Sequence, residues 1–338
     1  MTSNKSVSNY YNKLNKLYYI ATNKIGNIII IRNMKIHIIN FTILIAFILS
    51  GCTSTKPNKS TSILWEVSSK SDTSKVAYLL GSIHIAPPEL YPLHTAIMDA
   101  WNKSNALAVE INILDVDVAS LTQNMSLVLK LISLTEKLYN KLPPDLYVKV
   151  KNSLIKNGIP EDFIDGLTPL GASIILGLGD ASQLILNKDE NAVDGIDMYF
   201  LKKAKDEDKP IYELESINIQ IAAFEALNEN IVSYLQTLLD DLDNSDTDIN
   251  KLFDAWKNGD VNTIESLINT PFSSDKAINE KLKNVLLYNR NIDMATKIEE
   301  YLTQRGTYFI VIGAGHYVGN KSIIDILQKT GKYNIKRL

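Results

Sequence analysis

Apolar residues run in short unbroken blocks at two distant places, and both blocks end in the same phrase. Ala77-Tyr78-Leu79-Leu80 leads into Gly81-Ser82-Ile83-His84, and Tyr308-Phe309-Ile310-Val311-Ile312 leads into Gly313-Ala314-Gly315-His316. An unbroken apolar block bounded by glycine predicts a strand buried on both faces. Glycine then lets the backbone turn sharply and presents the next polar side chain at the sheet's edge. Each G-x-x-H phrase is therefore predicted to place its histidine, His84 or His316, at the end of a central strand, where α/β proteins build sites.

The remaining pattern fills in around these blocks. Leu64 to Val67 and Val76 to Leu80 flank a polar turn and predict a hairpin. Leu93, Ile97, Met98 and Trp101 share a helix face, and the short block Ala106 to Val109 then predicts a strand ending in Glu110. From about residue 119 to 186 the pattern is helical, with starts at Pro143-Pro144 and Pro160, and predicts an inserted helical layer. Gly195-Ile196-Asp197 opens a further helix, with Asp197 read either as its N-cap or as a supporting site residue. Ile211 to Glu215 predicts a strand delivering Glu215, although Glu213, two positions earlier on the same face, could serve instead. Ile217 to Leu227 continues as a helix, and the acidic run from Asp240 to Asp248 reads as a solvated loop. Helices through Trp256 and Ile264 follow, and a helical stretch from Ile278 to Tyr288 ends at Arg290-Asn291. A helix over Ile323 to Gln328 and a strand over Asn334 to Arg337 close the chain. The fold class predicted is α/β: a central mixed sheet with a pseudo-two-fold repeat of strand–GxxH units, flanking helices and the inserted helical layer.

The N-terminus changes the picture of where the folded part begins. From Met34 the chain reads Lys35, an apolar stretch from Ile36 to Leu49, then Leu49-Ser50-Gly51-Cys52. The apolar run is shorter than the ~20 residues of a bilayer-crossing helix and reads as a signal peptide. The tetrapeptide resembles the bacterial lipobox, in which the cysteine is lipidated. Residues 1–51 are thus expected to be a leader with its true start at Met34, 52–62 a lipidated terminus and tether, and 63–338 one domain. Thr53, rather than Asp, after Cys52 resembles outer-membrane sorting, so the expected location is the envelope, anchored in the outer membrane and facing the periplasm. Cys52 is the single cysteine, which excludes an intrachain disulfide.

Charge excludes one class of partner. The first 51 residues carry six basic side chains and no acid, which leaves −9 for the remainder of a chain whose total is −3. An acidic mature chain lacks the clustered Lys and Arg that neutralise phosphates, so nucleic acid is not an expected partner.

The strand ends carry a chemistry in common. His84 with Glu110, and Glu215 with His316, are imidazoles and carboxylates, the ligand set of Zn, Mn, Co or Fe. Four such groups suffice for about three ligands and a base, with the division between Glu110 and Glu215 open. Arg290 could hold a substrate carboxylate or stabilise an oxyanion near such an ion.

With these residues assembled, the chain resembles the TraB/GumN (PrgY) family, which is related to the Tiki metalloproteases. The matching phrases are Leu80-Gly81-Ser82-Ile83-His84, Val109-Glu110, Gly195-Ile196-Asp197, Leu214-Glu215-Ser216 with Gln220, Arg290-Asn291 with Met294, and Gly313-Ala314-Gly315-His316. The resemblance implies a fold linked to erythromycin-esterase and ChaN-like proteins (EreA/ChaN-like), and a divalent transition metal, Mn or Co above Zn. It implies that His84, His316, Glu110 and Glu215 form the metal and catalytic set, with Arg290 catalytic and Gly81, Gly313, Asn291, Asp197 and Gln220 supporting. The function expected is a membrane-anchored metallopeptidase acting on peptide or protein substrates. The alternative is a non-catalytic envelope lipoprotein that binds haem or a signalling peptide.

Overall fold

Two strands open the domain because Leu64, Val67 and the block from Ala77 to Leu80 all need cover. Strand β1 (Leu64–Ser69) and β2 (Val76–Ser82) pair antiparallel, Leu64 opposite Leu80, across the polar turn between them. The computed structural model describes residues 62–112, 114, 132–133, 135–177, 193–242, 245–271 and 275–338. The expected leader, Cys52 and all of the tether but Ser62 lie outside the described residues, as do 119–131, 134 and 178–186 of the predicted helical stretch.

After β2 come the two-residue strand β3 (Ile85–Ala86), helix α1 (Thr95–Lys103) and strand β4 (Ala106–Val109). His94 is the N-cap of α1, its ring accepting from the Ala96 N–H, which gives this histidine a structural duty. The helical layer follows as α2 (Pro144–Lys156), α3 (Glu161–Ile164) and α4 (Pro169–Gly177), with Pro144 at the first turn of α2 where its missing N–H costs nothing. Strand β5 (Val193–Asp194) pairs with β3, and helix α5 (Ile196–Asp206) leads to strand β6 (Ile211–Glu213).

The second half is mostly helical: α6 (Ile217–Glu225), α7 (Ile231–Leu242), α8 (Ser245–Lys257) and α9 (Val261–Ile268). The acidic run from Asp240 to Asp248, expected as a loop, instead falls largely on the end of α7 and the start of α8. Ser and Asp are residue types that begin helices as readily as they line loops. Helix α10 (Lys276–Lys283) continues through a π turn, Asn284–Tyr288, directly into α11 (Asn289–Tyr301). Arg290 and Asn291 therefore lie inside a continuing helix and not at the end of one. Strand β7 (Thr307–Gly313), helix α12 (Ile323–Lys329) and strand β8 (Tyr333–Arg337) complete the domain.

The fold is α/β with one six-stranded mixed sheet in the order β6-β4-β7-β2-β1-β8. The two strands that run into G-x-x-H are neighbours at its centre: β2 and β7 pair in parallel with Ser82 opposite Gly313, so both phrases leave the sheet at one edge. Strands β4 and β6 are parallel to β7 and lie on its far side, which brings the segments carrying Glu110 and Glu215 to that same edge. Helices α1 and α5 cover the sheet through Trp101 and Phe200, which meet Phe309 at ring distances of 5.5 and 4.7 Å. Burying a side chain such as Phe309 contributes roughly 1.5–3 kcal/mol. Among the described residues, no helix is long and apolar enough to cross a membrane.

Helix α9 matters to the site because Ile268 packs on Gly315, where an added Cβ would come within 3.0 Å of it. Its N-cap is Asp260, which accepts from the backbone N–H groups of Asn262 and Thr263 and from the Thr263 hydroxyl. Partial burial works against ionising Asp260, but those hydrogen bonds outweigh it and hold its carboxyl below the usual aspartate value. A depressed folded pKa means that the contribution is present above the unfolded value, ~3.9, and lost as pH falls through the folded one. Asp260→Ala is expected to cost about 1 kcal/mol at neutral pH, with the difference from the parent shrinking below about pH 4. Urea unfolding at neutral and acidic pH checks it; a deficit that persists unchanged in acid would refute the capping account.

Candidate active site

Each site residue is delivered by a strand end or by a helix packed against one. His84 leaves β2 and is braced from behind by Gly195, where even a methyl group would lie 1.9 Å from the His84 carbonyl oxygen. That close approach lets helix α5 begin against the histidine loop, with Ile196 N–H donating to Ile83 C=O. Asp197 is thus in the first turn of α5, and its carboxylate does not cap the helix. One oxygen meets His84 Nδ1 at 2.6 Å and the other accepts from Ser82 Oγ at 2.5 Å.

His316 is buried, 4% exposed, one short 3-10 turn beyond β7. Its Nδ1 lies 2.5 Å from Asn291 Oδ1, and the Asn291 amide in turn donates to the Lys321 carbonyl. With both Nδ1 atoms committed as donors, Nε2 is the free lone pair on each ring. Burial favours the neutral form of His84, but the Asp197 carboxylate outweighs it and raises the pKa of the ring above that of an ordinary imidazole. Burial, together with the charges of Arg290 and His84, pushes His316 well below that value.

Glu110 follows β4 and Glu215 follows β6, the two joined by a backbone bond from Glu215 N–H to Glu110 C=O. Because β6 stops at Glu213, strand alternation does not extend to residue 215. Glu213 is exposed and accepts from the Asn112 N–H, whereas Glu215 turns inward and is 3% exposed. Between the two inward carboxylates stands Arg290. Its Nε donates to Glu215 Oε1 at 2.7 Å, and its Nη2 donates to Glu215 Oε2 at 2.5 Å and to Glu110 Oε2 at 2.8 Å. Gln220 Nε2 bridges the same two oxygens at 3.1 and 3.0 Å. Burial raises the Glu110 carboxyl above the usual range, with Glu215 adding to the rise and Arg290 opposing it. Burial likewise opposes the charge on Arg290, but its two carboxylate partners more than compensate and raise its pKa.

The free atoms converge on Gly313. A Cβ built there would meet Glu110 Oε1 at 3.4 Å, His84 Nε2 at 3.7 Å and His316 Cδ2 at 3.7 Å. Glu110 Oε1 also accepts from the Gly313 N–H at 2.8 Å. The structure thus brings His84, His316, Glu110, Glu215, Arg290, Asn291, Asp197 and Gln220 together at one sheet edge. Glu215 is set back from the convergence, its oxygens taken up by Arg290 and Gln220. The guanidinium of Arg290, 3% exposed, spends Nε and Nη2 on the carboxylates and Nη1 on the Leu286 carbonyl. Gly81 serves packing, since a Cβ would strike Ile63 at 2.4 Å. Among the described residues, no three His, Cys, Asp or Glu groups stand closed around a point as a metal cluster would.

A family model for TraB/PrgY/gumN matches residues 63–337, nearly all of the described chain. The chain belongs to the TraB/PrgY/gumN family. It is similar to a metalloprotease TIKI homolog from Amphimedon queenslandica, 24% identical over 82% of this chain and 61% of that protein. Metalloprotease TIKI1 from Danio rerio is 23% identical over 83% of this chain and 64% of its own length. The uncharacterized protein YbaP from Escherichia coli (strain K12) is 22% identical over 74% of this chain and 87% of its own. The chain therefore spans about three fifths of the TIKI proteins and most of YbaP. No solved structure matches it significantly.

Two contributors to this family site escape a reading of the sequence. Ser82 lies in the first G-x-x-H phrase, two positions before His84, and its place at a strand end is a usable signal. Trp256, whose indole N–H donates to the Gly81 carbonyl at 2.7 Å, carries none, because its partner is 175 residues away.

Proposed function

We propose that this family member is a lipid-anchored, metal-dependent peptidase of the bacterial envelope. The observation that carries the reading is the convergence of His84 Nε2, the His316 ring and Glu110 Oε1 on Gly313, with both imidazole Nδ1 atoms already occupied. Imidazole is a ligand for a divalent ion such as Mn, Co or Zn, and a hydrogen-bonded Nδ1 is the usual support of a ligating histidine. His84 and His316 would hold it, with Glu110 Oε1 beside them left free to act as the base. Such an ion, when bound, supplies Lewis acidity and lowers the pKa of water toward ~7.

This chain's own residues do the rest. Glu110 takes the proton of the attacking water at Oε1 and returns it to the leaving amine, its basicity raised by burial. Arg290 and Gln220 grip Oε2, which keeps Oε1 turned toward Gly313. Glu215 holds Arg290 and so acts as a positioning residue. Asp197 and Asn291 keep the two rings in the tautomer that frees Nε2. The names of the TIKI relatives support the peptidase class. Lipidation at Cys52 and an outer-membrane location facing the periplasm rest on Leu49-Ser50-Gly51-Cys52 and Thr53. The pseudo-two-fold repeat rests on the paired strands β2 and β7 alone, because β4 and β6 lie on one side of that pair, and the EreA/ChaN-like kinship rests on the family resemblance.

Elemental analysis of the purified full-length chain beside a His84→Ala, His316→Ala double variant tests the site. About one divalent transition metal per chain is expected, lost in the variant, together with cleavage in a broad peptide library that Glu110→Gln lowers by ~100-fold or more. Membrane fractions should retain the parent and lose Cys52→Ala. The alternative is a non-catalytic ligand-binding lipoprotein of the envelope, which would use the histidines as pocket walls and not need the carboxylates. A metal-loaded chain that cleaves nothing, and whose ligand binding is indifferent to Glu110→Gln, would establish that reading instead.

A further inference from the structure

The two imidazoles are supported by side chains of different kinds. An ionised Asp197 can only accept, so its contact with His84 Nδ1 at 2.6 Å puts the proton on that nitrogen without further help. Asn291 can accept through Oδ1 or donate through Nδ2, so beside His316 it suits either tautomer of the ring. A group beyond Asn291 has to make the choice.

That group is a main-chain carbonyl. Asn291 Nδ2 donates to the Lys321 C=O at 2.8 Å, and a carbonyl oxygen accepts only. The amide is thereby held with Oδ1 toward His316 Nδ1, 2.5 Å away, which requires the proton on Nδ1 and leaves the lone pair on Nε2. Asn291 and His316 are both buried, so no bulk water competes for the amide.

Lys321 presents its carbonyl at a conformational cost. Its φ is 60°, which makes it one of two non-glycine residues in the left-handed region among the described residues. Three contacts hold it there. Its N–H donates to Asp325 Oδ2 at 2.8 Å, its carbonyl takes the Asn291 amide, and its Nζ lies 4.5 Å from the ring centre of Tyr288, the last residue of the π turn that leads into Asn291. The residue is exposed, and it is the carbonyl that meets the support of His316. Backbone strain of this kind persists where the surrounding structure over-determines it, and it collects at functional sites.

We infer that Lys321 is a positioning residue for His316: its left-handed backbone aims the carbonyl that, through Asn291, decides which ring nitrogen is free. The inference rests on the proposed metal site only in taking Nε2 to be the atom put to use. The tautomer itself is a property of this chain, with or without an ion.

Nitrogen-15 spectra of the full-length chain with labelled histidine rings, recorded without metal at about pH 8, read the tautomer directly. The chain has four histidines, and His316→Gln identifies the signal. The parent is expected to carry the His316 proton on Nδ1. Lys321→Gly, which adopts a positive φ without strain, should keep it there. Lys321→Pro fixes φ at about −65° and removes the N–H that Asp325 holds, so it should move much of the population to the Nε2–H tautomer and weaken Co binding by about 10–100-fold. Adding Asn291→Asp to Lys321→Pro should return the proton to Nδ1, because a carboxylate accepts only and needs no carbonyl behind it, as Asp197 does for His84. That substitution would not repair a general loosening of the loop. Should Lys321→Pro not fold, Lys321→Val keeps the N–H, penalises the left-handed backbone and should shift the tautomer part-way. An Nε2–H tautomer in the parent, or a folded Lys321→Pro or Lys321→Val chain that keeps the proton wholly on Nδ1, overturns the inference. The two readings fail separately: a tautomer that shifts in a chain taking up no Co keeps the role of Lys321 and sinks the metal site, and Co uptake with a tautomer indifferent to Lys321 does the reverse.

Discussion

Arg290→Met is expected to destabilise the protein by about 3–5 kcal/mol, lowering its thermal midpoint by about 10 °C. The guanidinium is nearly fully buried between Glu110 and Glu215, and its removal leaves two carboxylates facing each other without a cation. Burial already raises the Glu110 carboxyl and Arg290 opposes that rise, so without the guanidinium keeping Glu110 ionised becomes costlier, and the variant should become relatively more stable as pH falls into the carboxylate range. The sign follows from linkage: an acid whose folded pKa lies above its unfolded value destabilises the fold when ionised and stops doing so when protonated. Adding Glu110→Gln and Glu215→Gln to Arg290→Met should recover much of the loss, because replacing a whole buried ionic group costs far less than breaking it. Denaturant unfolding of the single and triple variants at neutral and acidic pH measures this. A single variant as stable as the parent would mean that the ionic group is not the keystone of this sheet edge.

The second large effect is on activity with little effect on stability. Gly313 has φ −46° and ψ 133°, a conformation open to alanine, and a methyl group there meets its neighbours at 3.4 Å and beyond, ordinary contact distances. Gly313→Ala should therefore keep its unfolding midpoint to within about 1 kcal/mol. The methyl nevertheless occupies the space on which Glu110 Oε1, His84 Nε2 and the His316 ring converge. Misplacement of reacting groups by about 1 Å costs on the order of 10²-fold, and a loss of that size in peptide cleavage is expected, with bound metal reduced in parallel. Full activity in Gly313→Ala would move the reacting centre away from this position.

The G-x-x-H phrases were legible because their neighbours are. A strand buried on both faces needs an unbroken apolar block, and β2 and β7 both show one that stops at glycine. Helix starts at Pro144 and Ile323 were equally readable from local residue types. Arg290 was not readable in position. Periodicity treats the stretch as a helix that ends, whereas a π turn from Asn284 to Tyr288 inserts an extra residue, rotates the following face and lets the helix run on to Tyr301. Asp197 misleads for a related reason: an acid beside a helix start is the ordinary sign of a cap, and here His84 and Ser82 compete for its oxygens and win.

By itself, then, the sequence determined the family, the α/β class and which residue types stand where strands end, since burial and turn formation act over a few neighbouring residues. Only the tertiary structure decided how those groups divide their work. Arg290 meets Glu215 across 75 residues and Glu110 across 180, and no local period encodes a contact of that span. Strand order, set by the packing of the whole sheet, turned Glu110 toward the two imidazoles and drew Glu215 back against the guanidinium.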